Sequence, residues 1–190
     1  MNVLVIGKGG REHALVYAVS KSAKVDKIYA APGNPGMAQL AECVDISDSD
    51  VEALVAFAKD KQIDLTIVGP EHTLSLGVVD EFQKEGLKIF GPSKDAAQVE
   101  SSKDFAKKIM VKHGIPTAAY ATFDNEEDAV AYVKEQGAPI VVKEDGLKAG
   151  KGVTVAQTLE EALDALHIAF SIPNNKVVIE ECLLFDLLCM

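Results

Sequence analysis

The sequence predicts an α/β protein in two parts, a parallel sheet flanked by helices followed by a smaller α+β unit. Over the first 92 residues, short apolar runs alternate with helical patterns, which is typical of a parallel sheet. Each predicted strand there ends in a glycine-containing loop, the place where ligands of such sheets gather. After residue 92 the order of elements changes, and the chain shows no internal repeat.

The first part is predicted element by element from apolar spacing. In chain order, the prediction is a strand over 2–6, a helix with residues 14, 15, 18 and 19 on its apolar face, a strand over 27–31, a helix over 50–61, a strand over 65–68, a helix over 76–84 and a strand over 87–90. Ser49 is the predicted N-cap of the 50–61 helix. Residues 32–36, Pro-Gly-Asn-Pro-Gly, are a predicted loop.

The second part begins with a helix over 101–113, which Gly114-Ile115-Pro116 ends. An extended segment over 117–123, a helix over 125–136, a strand over 139–143, a loop over 145–152, a strand over 153–156, a helix over 159–169 and a strand over 177–180 follow. We therefore place the boundary between the two parts within 92–123, with the 101–113 helix as connector.

Composition excludes several classes of protein. Of 190 residues, 48% are hydrophobic and the net charge is −10, so a general nucleic-acid or anionic-membrane partner is disfavoured. Three cysteines and four histidines show no metal-ligating spacing, and we expect no such metal site and no disulfide framework. The N-terminus lacks signal-peptide features and no window approaches the roughly 20 apolar residues of a membrane helix. We expect a cytoplasmic protein.

The first loop, Gly7-Lys8-Gly9-Gly10-Arg11-Glu12, follows a strand and opens a helix, an arrangement that favours an anion at the helix N-terminus. A dinucleotide site would have glycine near position 12 and an acidic residue after the second strand. The chain has Glu12 and Ala31-Pro32 at these places, which disfavours NAD. A phosphorylated or carboxylate ligand is the better prediction, and a turn needed only for strand–helix packing is the alternative.

Three other stretches have residue types suited to ligand binding. Glu71 follows the third strand, at the same edge of the sheet as the first loop. Its carboxylate could accept hydrogen bonds from ribose hydroxyls or an amine, and a solvated turn residue is the alternative. No role is predicted for His72. The run Lys143-Glu-Asp-Gly-Leu-Lys-Ala-Gly-Lys-Gly-Val153 combines lysines and glycines, which suits a polyphosphate but also an exposed basic turn. Residues 180–183 follow an apolar strand where an adenine slot could form.

Taken together, these stretches resemble the phosphoribosylamine–glycine ligase (glycinamide ribonucleotide synthetase) family, ATP-grasp enzymes of purine biosynthesis. The resemblance covers residues 1 to about 183, in the family's order. The matching stretches are 7–15, 32–36, 68–71, 89–92, 102–103, 114–117 and 142–153. It implies a Rossmann-like substrate domain over 1–100, a connector helix and linker over 101–122, and the small ATP-grasp lid lobe over 123–190, with the larger ATP-grasp lobe missing.

The resemblance also implies a reaction: ATP phosphorylates glycine to a glycyl phosphate, and the amine of 5-phosphoribosylamine attacks it to give glycinamide ribonucleotide, ADP and phosphate. It implies that phosphoribosylamine faces the substrate residues, which are Gly9, Gly10, Arg11, Glu12 and Glu71. It implies nucleotide contacts from Lys103, Lys143, Gly146, Lys148, Gly150, Lys151, Gly152, Glu180, Glu181, Cys182 and Leu183. No catalytic residue is assigned, and the Mg²⁺ ligands are expected in the missing lobe.

The sequence departs from the family pattern at two places. Glu144 and Lys148 stand where the family usually has alanine, and we interpret both as surface substitutions. After Glu181 no glutamate and no glycine follow, so the family's ribose-binding glutamate has no counterpart except Asp186. We therefore expect this chain to be an incomplete and inactive fragment, whose apolar tail over 184–190 needs a covering surface. A non-catalytic binding or scaffold protein and another ATP-grasp carboxylate–amine ligase are the alternatives.

Overall fold

A five-stranded parallel sheet organises the first part of the chain. The computed structural model describes residues 1–148 and 150–183, and it divides into two compact units, Met1–Gln98 and a second unit that begins at Val99. In the first unit the strand order is β3-β2-β1-β4-β5, and all four neighbouring pairs are parallel. The predicted α/β class is confirmed.

The elements of the first unit follow the predicted alternation. In order they are β1 Asn2–Gly7, α1 Gly10–Ser20, β2 Lys27–Pro32, a 3₁₀ turn Met37–Gln39, β3 Glu42–Cys43, α2 Val51–Asp60, β4 Leu65–Val68, α3 Glu71–Ser75, α4 Val78–Lys84, β5 Ile89–Phe90 and α5 Lys94–Ser101, which spans the division between the units.

Both faces of this sheet are buried. Successive side chains of β1 point to opposite faces, and each set packs in its own apolar cluster. Val3 and Val5 pack with Val16 of α1 on one face. Leu4 and Ile6 belong to a second cluster on the other face, which includes residues of α2 and α4. From Val3 to Ile6, β1 is apolar because it is covered on both faces, as is usual for the central strand of a parallel sheet.

The structure corrects three local predictions in this region. The N-cap of α2 is Asp50, not Ser49, since the Asp50 carboxylate accepts from the Ala53 N–H at 3.0 Å. The helix predicted over 76–84 begins only at Val78, because the chain passes through Gly77 at φ +90°, and a separate short helix, α3, precedes it at Glu71–Ser75. Helix α5 has no counterpart among the predicted elements, and the predicted connector helix begins at Lys103 instead of Ser101.

The second unit contains a four-stranded antiparallel sheet of order β6-β9-β7-β8. Its elements are α6 Lys103–Lys112, β6 Tyr120–Phe123, α7 Glu126–Gln136, β7 Ile140–Glu144, β8 Val153–Ala156, α8 Leu159–Phe170 and β9 Val177–Glu181. The Ser102 hydroxyl caps α6 by accepting from the Phe105 N–H at 3.2 Å.

The two faces of the antiparallel sheet differ in chemistry. Ile140, Val142, Val177 and Ile179 form one cluster with apolar residues of α7 and α8. Alternation along each strand sends the intervening side chains, including Lys143 and Glu180, to the opposite face. The sheet therefore has an apolar face under two helices and a face with charged side chains.

Two expectations concern residues beyond those described. One is that Asp186 takes the place of the family's ribose-binding glutamate, and the other is that a surface covers the apolar tail. Both concern residues 184–190, which lie outside the described residues. Among the helices of residues 1–148 and 150–183, none has the length and apolar character needed to cross a membrane.

Candidate functional site

Arg11 links the two glycine-containing loops at the carboxyl edge of the parallel sheet. It lies in the first turn of α1, and β1 and β4 are neighbouring strands. Its guanidinium donates to the Gly69 carbonyl at 3.0 Å and to Glu71 Oε1 at 2.7 Å. The structure thus brings together Arg11 and Glu71, which are 60 residues apart in sequence. Gly9 and Gly10 begin the same helix and are exposed.

Glu12 lies beneath these loops and is only 5% exposed. Its Oε2 accepts from the Gly9 N–H at 2.7 Å, which satisfies one of the N–H groups at the start of α1. A Cβ built on Gly69 would overlap the Glu12 carboxylate, so the β4 loop can approach it only because residue 69 is glycine. Glu12 therefore fixes the path of both loops.

Glu71 is a predicted substrate residue whose carboxyl pKa is lowered by its surroundings. A hydrogen bond from its own backbone N–H, followed by the hydrogen bond from Arg11, holds the pKa of the Glu71 carboxyl below its usual value. Its side chain is 37% exposed. The carboxylate is thus ionised near neutral pH and accessible, which suits an acceptor for hydroxyl or amine hydrogens.

In the second unit, Lys143 and Glu180 lie on the charged face of the antiparallel sheet. Val141 is opposite Glu180 and Lys143 is opposite Val178, so Lys143 and Glu180 are diagonal neighbours on adjacent strands. Lys143 Nζ is 2.8 Å from Glu180 Oε1. The Lys143 side chain is 26% exposed, whereas Glu180 is 7% exposed.

Lys107 of α6 approaches the same carboxylate from the other side. Its Nζ is 3.0 Å from Glu180 Oε2 and also donates to Thr117 Oγ1 at 2.8 Å and to the Ala118 carbonyl at 3.1 Å. Lys107 is 6% exposed, and its ammonium lies 5.4 Å from the centre of the Tyr120 ring. Lys107 is not among the site residues predicted from the sequence.

Lys103 positions the loop that follows β7. Its Nζ donates to the carbonyls of Glu144 and Gly146 at 2.8 and 2.9 Å, and its backbone N–H donates to Asp145 Oδ1 at 2.5 Å. Ser102 Oγ donates to the other Asp145 oxygen at 3.1 Å. Burial lowers the pKa of Lys103 from its usual value, because the charged ammonium is partly removed from water.

Glu144 holds the next part of this loop. Its Oε2 is 2.7 Å from Lys148 Nζ and accepts from Asn175 Nδ2 at 2.8 Å. The hydrogen bond from Lys148 is the first cause that lowers the pKa of Glu144. With side-chain exposures of 16% and 27%, Glu144 and Lys148 are not surface substitutions, and that interpretation is wrong because the two side chains bind each other.

The remaining predicted residues lie around these groups. Gly146, Gly150 and Gly152 all have positive φ, and Gly150 and Lys151 are exposed. Glu181 Oε1 accepts from the Ala119 N–H at 2.8 Å, which ties the end of β9 to the segment before β6. Cys182 is half-buried and Leu183 is exposed. The predicted nucleotide residues therefore extend along the β7–β9 pair: Glu181 is paired with Ile140 at the start of β7, whereas the loop between β7 and β8 follows the opposite end of β7.

A cavity of about 750 Å³ lies elsewhere in the second unit, between α6 and β6. Asp104, Lys108, Tyr120 and Lys176 are among its lining residues, and none of the predicted nucleotide residues is. Its position therefore does not support the predicted site. Within residues 1–148 and 150–183, no group of three or more His, Cys, Asp or Glu side chains could hold a metal ion.

The structure adds several residues to the predicted set, namely Lys107, Asp145 and Asn175. Lys107 lies one helical turn after Lys103 on α6, a spacing that places both on neighbouring positions of one helix face. That spacing is the one signal from which the sequence could have identified it. Asp145 and Asn175 meet partners that are 42 and 31 residues away, so no local pattern identifies them.

Two family comparisons cover nearly the whole chain. Residues 1–100 match the family "Phosphoribosylglycinamide synthetase, N domain", and residues 101–186 match "Phosphoribosylglycinamide synthetase, ATP-grasp (A) domain". Among curated relatives, phosphoribosylamine–glycine ligase of Vibrio cholerae is 56% identical, and that of Halalkalibacterium halodurans is 53% identical, each over 96% of this chain. The chain spans 44% of the length of these relatives.

Solved structures give the same result for the fold. A phosphoribosylamine–glycine ligase from Thermotoga maritima matches 98% of this chain and 45% of its own, with a TM-score of 0.76 and 28% identity. An ADP complex of N5-carboxyaminoimidazole ribonucleotide synthetase matches 97% of this chain and 48% of its own, with a TM-score of 0.81. At 20% identity the second match speaks for the fold alone.

Proposed function

The chain belongs to the phosphoribosylglycinamide synthetase family, and from this premise we propose that it supplies nucleotide-binding and phosphoribosylamine-binding residues of an ATP-dependent ligase in purine biosynthesis. In the proposed reaction, the γ-phosphoryl group of ATP passes to the glycine carboxylate, and the amine of 5-phosphoribosylamine then displaces phosphate to form the amide. We also propose the domain division 1–100, 101–122 and 123–190, and a cytoplasmic location.

The first unit is the proposed site for phosphoribosylamine. Arg11 offers a guanidinium beside the exposed Gly9 and Gly10 at the start of α1, an arrangement that attracts a phosphate or carboxylate. Glu71 is ionised and half-buried, and would accept hydrogen bonds from ribose or the amine. Glu12 acts here by holding the loops, because its carboxylate is buried against Gly9.

The second unit is the proposed ATP site. The observation on which this proposal depends is the group of Lys103, Lys143 and Lys148 near the glycine-containing loop after β7, of which Lys143 lies on the charged face of the β7–β9 sheet. Polyphosphates are bound by this combination of ammonium groups and backbone N–H donors. Glu180, Glu181, Cys182 and Leu183 would border adenine at the end of β9, and Gly146, Gly150, Lys151 and Gly152 would border the phosphates.

Magnesium does not fit among the described residues. Mg²⁺ takes oxygen ligands in octahedral geometry, usually one or two carboxylates together with phosphate oxygens and water. The described part of the chain has no cluster of three candidate ligand residues, and the carboxylates near the loop already have partners, which are lysines for Glu144 and Glu180 and the Ser102 hydroxyl and Lys103 N–H for Asp145. We therefore assign no step of the reaction to a magnesium ion held by these residues.

Calorimetric titration with ADP tests the nucleotide proposal. We expect the wild-type chain to bind ADP, and Lys143→Met to weaken binding by about tenfold or more, because one accessible unit charge is lost. The matched control is Lys134→Met, an exposed lysine of α7, the helix that packs on the opposite face of the sheet. Equal affinities for all three proteins, or no binding by the wild type, would refute the assignment of this site.

A parallel titration with ribose 5-phosphate tests the first unit. Arg11→Gln should weaken binding by about tenfold, since a charge-assisted contact to phosphate is lost. Lys21→Gln, at the other end of α1, is the control and should leave the affinity within about twofold of wild type. Similar losses in both variants would show that the binding reflects only the general charge of the unit.

A further inference from the structure

Glu180 is a buried carboxylate with a cation on each of its oxygens. Oε1 faces Lys143 at 2.8 Å and Oε2 faces Lys107 at 3.0 Å. Glu180 and Lys107 are 7% and 6% exposed, while the Lys143 side chain is 26% exposed. The outermost member of this triad is therefore Lys143, and Lys107 is the innermost.

Lys107 is engaged by the protein itself. Its ammonium donates two hydrogen bonds, to Thr117 Oγ1 and to the Ala118 carbonyl, and forms an ion pair with Glu180 Oε2 at 3.0 Å, while the residue is only 6% exposed. The Tyr120 ring lies 5.4 Å from the same Nζ and stabilises its charge further. Any effect of Lys107 on a bound molecule must therefore pass through Glu180.

The charges of the triad decide what Lys143 offers to an anion. Two lysines and one glutamate sum to one positive charge, whereas Lys143 and Glu180 alone sum to zero. A lysine whose charge is cancelled by an adjacent carboxylate attracts phosphate weakly, and partial burial makes this cancellation stronger than it would be in water.

We propose that Lys107 is a positioning residue that neutralises Glu180 from the interior and so leaves Lys143 with a full positive charge for the phosphates of a nucleotide. This inference rests on the proposed function, because it takes the charged face of the β7–β9 sheet to be the nucleotide site. Lys107 thereby favours phosphorylated ligands over the nucleoside without contacting either.

The test is a charge series read as the ratio of ADP affinity to adenosine affinity. Adenosine lacks the phosphates, so this ratio removes any change in adenine contacts. The triad charge is +1 in wild type, zero in Lys107→Met, +2 in Glu180→Gln and again +1 in the double variant Lys107→Met/Glu180→Gln. We expect the ratio to fall about tenfold in Lys107→Met, to rise by a similar factor in Glu180→Gln, and to return to the wild-type value in the double variant.

The control is Lys108→Met, which removes a charge from the next position of α6. Lys108 is exposed and paired with Asp104, outside the triad, so the ratio should stay within about twofold of wild type. If Lys107→Met does not fold, Glu180→Gln and the double variant still test the series, since the double variant replaces both buried charges by neutral groups.

Two results would overturn the assignment and leave Lys107 a purely structural residue. One is an affinity ratio that does not change with the charge of the triad, and the other is a double variant whose ratio stays as low as that of Lys107→Met. A wild-type chain that binds neither ADP nor adenosine would refute the proposed nucleotide function itself, and the assignment with it. If the wild type binds ADP but the affinity ratios of the variants do not follow the predicted order, only the role of Lys107 is refuted, so the two failures are distinguishable.

Discussion

Each unit of the molecule buries one glutamate beside its proposed ligand site, but the two carboxylates are stabilised differently. Glu12 of the first unit is 5% exposed and accepts from the Gly9 N–H at 2.7 Å, while the nearest Arg11 nitrogen to its Oε1, Nε, is 3.9 Å away. Glu180 of the second unit is 7% exposed and has lysine ammonium groups at 2.8 and 3.0 Å.

The comparison shows two uses of a buried carboxylate. A carboxylate that accepts from a backbone N–H fixes the chain, and Glu12 accordingly holds a loop that Gly69 allows to come close. A carboxylate between two ammonium groups fixes the positions of their charges, since Glu180 holds the ammonium groups of Lys107 and Lys143 by ion pairs. The first arrangement shapes a site, and the second sets its electrostatic potential.

The largest expected effect is that of Glu180→Ala. It leaves Lys107 buried without its carboxylate, and breaking a buried ion pair in this way costs about 3–5 kcal/mol of the free energy of unfolding. Urea denaturation followed by circular dichroism measures the loss. Glu181→Ala, the next and exposed residue, removes one hydrogen bond to Ala119 and should cost about 1 kcal/mol. Equal losses in the two variants would show that the lysines do not depend on Glu180.

Glu12→Ala should have the next largest effect, a loss of about 1–3 kcal/mol, because the Gly9 N–H loses its acceptor and packing beneath the loop is lost. Glu12→Gln should recover part of this loss, since an amide oxygen can accept from the same N–H. No such recovery of stability is expected for Glu180→Gln, because a neutral amide cannot form ion pairs with the two lysines. The same denaturation measurement compares them, and an absence of recovery in Glu12→Gln would contradict the distinction.

The sequence predicts those parts of the structure that depend on interactions between residues close together in the chain. The strands β1, β2 and β4 were predicted within a residue at each end, because their apolar runs are bounded by glycine, proline or polar residues. Helix ends were predicted less well. Ser49 and Asp50 are both good capping residues, and only the backbone conformation decides that Asp50 accepts from Ala53.

The site was predictable only in part, for the same physical reason. Lysines and glycines of the β7–β8 loop stand out in sequence, and the apolar run before Glu180 marks its strand. The partners that organise them do not stand out: Asn175 reaches Glu144 across 31 residues, and Asp145 reaches Ser102 across 43. Lys107 looks like an ordinary helix lysine until the fold places Glu180 beside it.

A smaller effect is expected for Glu144→Gln, which breaks the ion pair with Lys148 but keeps an acceptor for Asn175. We expect a loss of about 1 kcal/mol at low salt, because both side chains are partly buried, and a smaller loss at high salt. Glu160→Gln, an exposed residue of α8, is the control. A loss that does not depend on salt would show that the charge of Lys148 is not what stabilises Glu144.

The pH dependence of Glu144 follows from the lowered pKa of its carboxyl. A carboxyl whose pKa is lower in the folded than in the unfolded chain stabilises the fold at pH values above its unfolded pKa of about 4.3. This stabilisation decreases as the pH falls through the folded pKa. The difference between wild type and Glu144→Gln should therefore be constant near neutral pH and diminish below about pH 4.

The smallest effect is expected for Glu71→Gln in the first unit, since that side chain is 37% exposed. Its pKa is also lowered, so its contribution has the same sign and is lost as the pH falls through the folded pKa. The main cause, however, is its own backbone N–H, with Arg11 second. Added salt should therefore reduce the Glu71 contribution by a smaller fraction than that of Glu144, for which a lysine is the main cause. Denaturation at two salt concentrations for both glutamine variants measures this, and equal fractional losses would contradict the division between backbone-stabilised and cation-stabilised carboxylates.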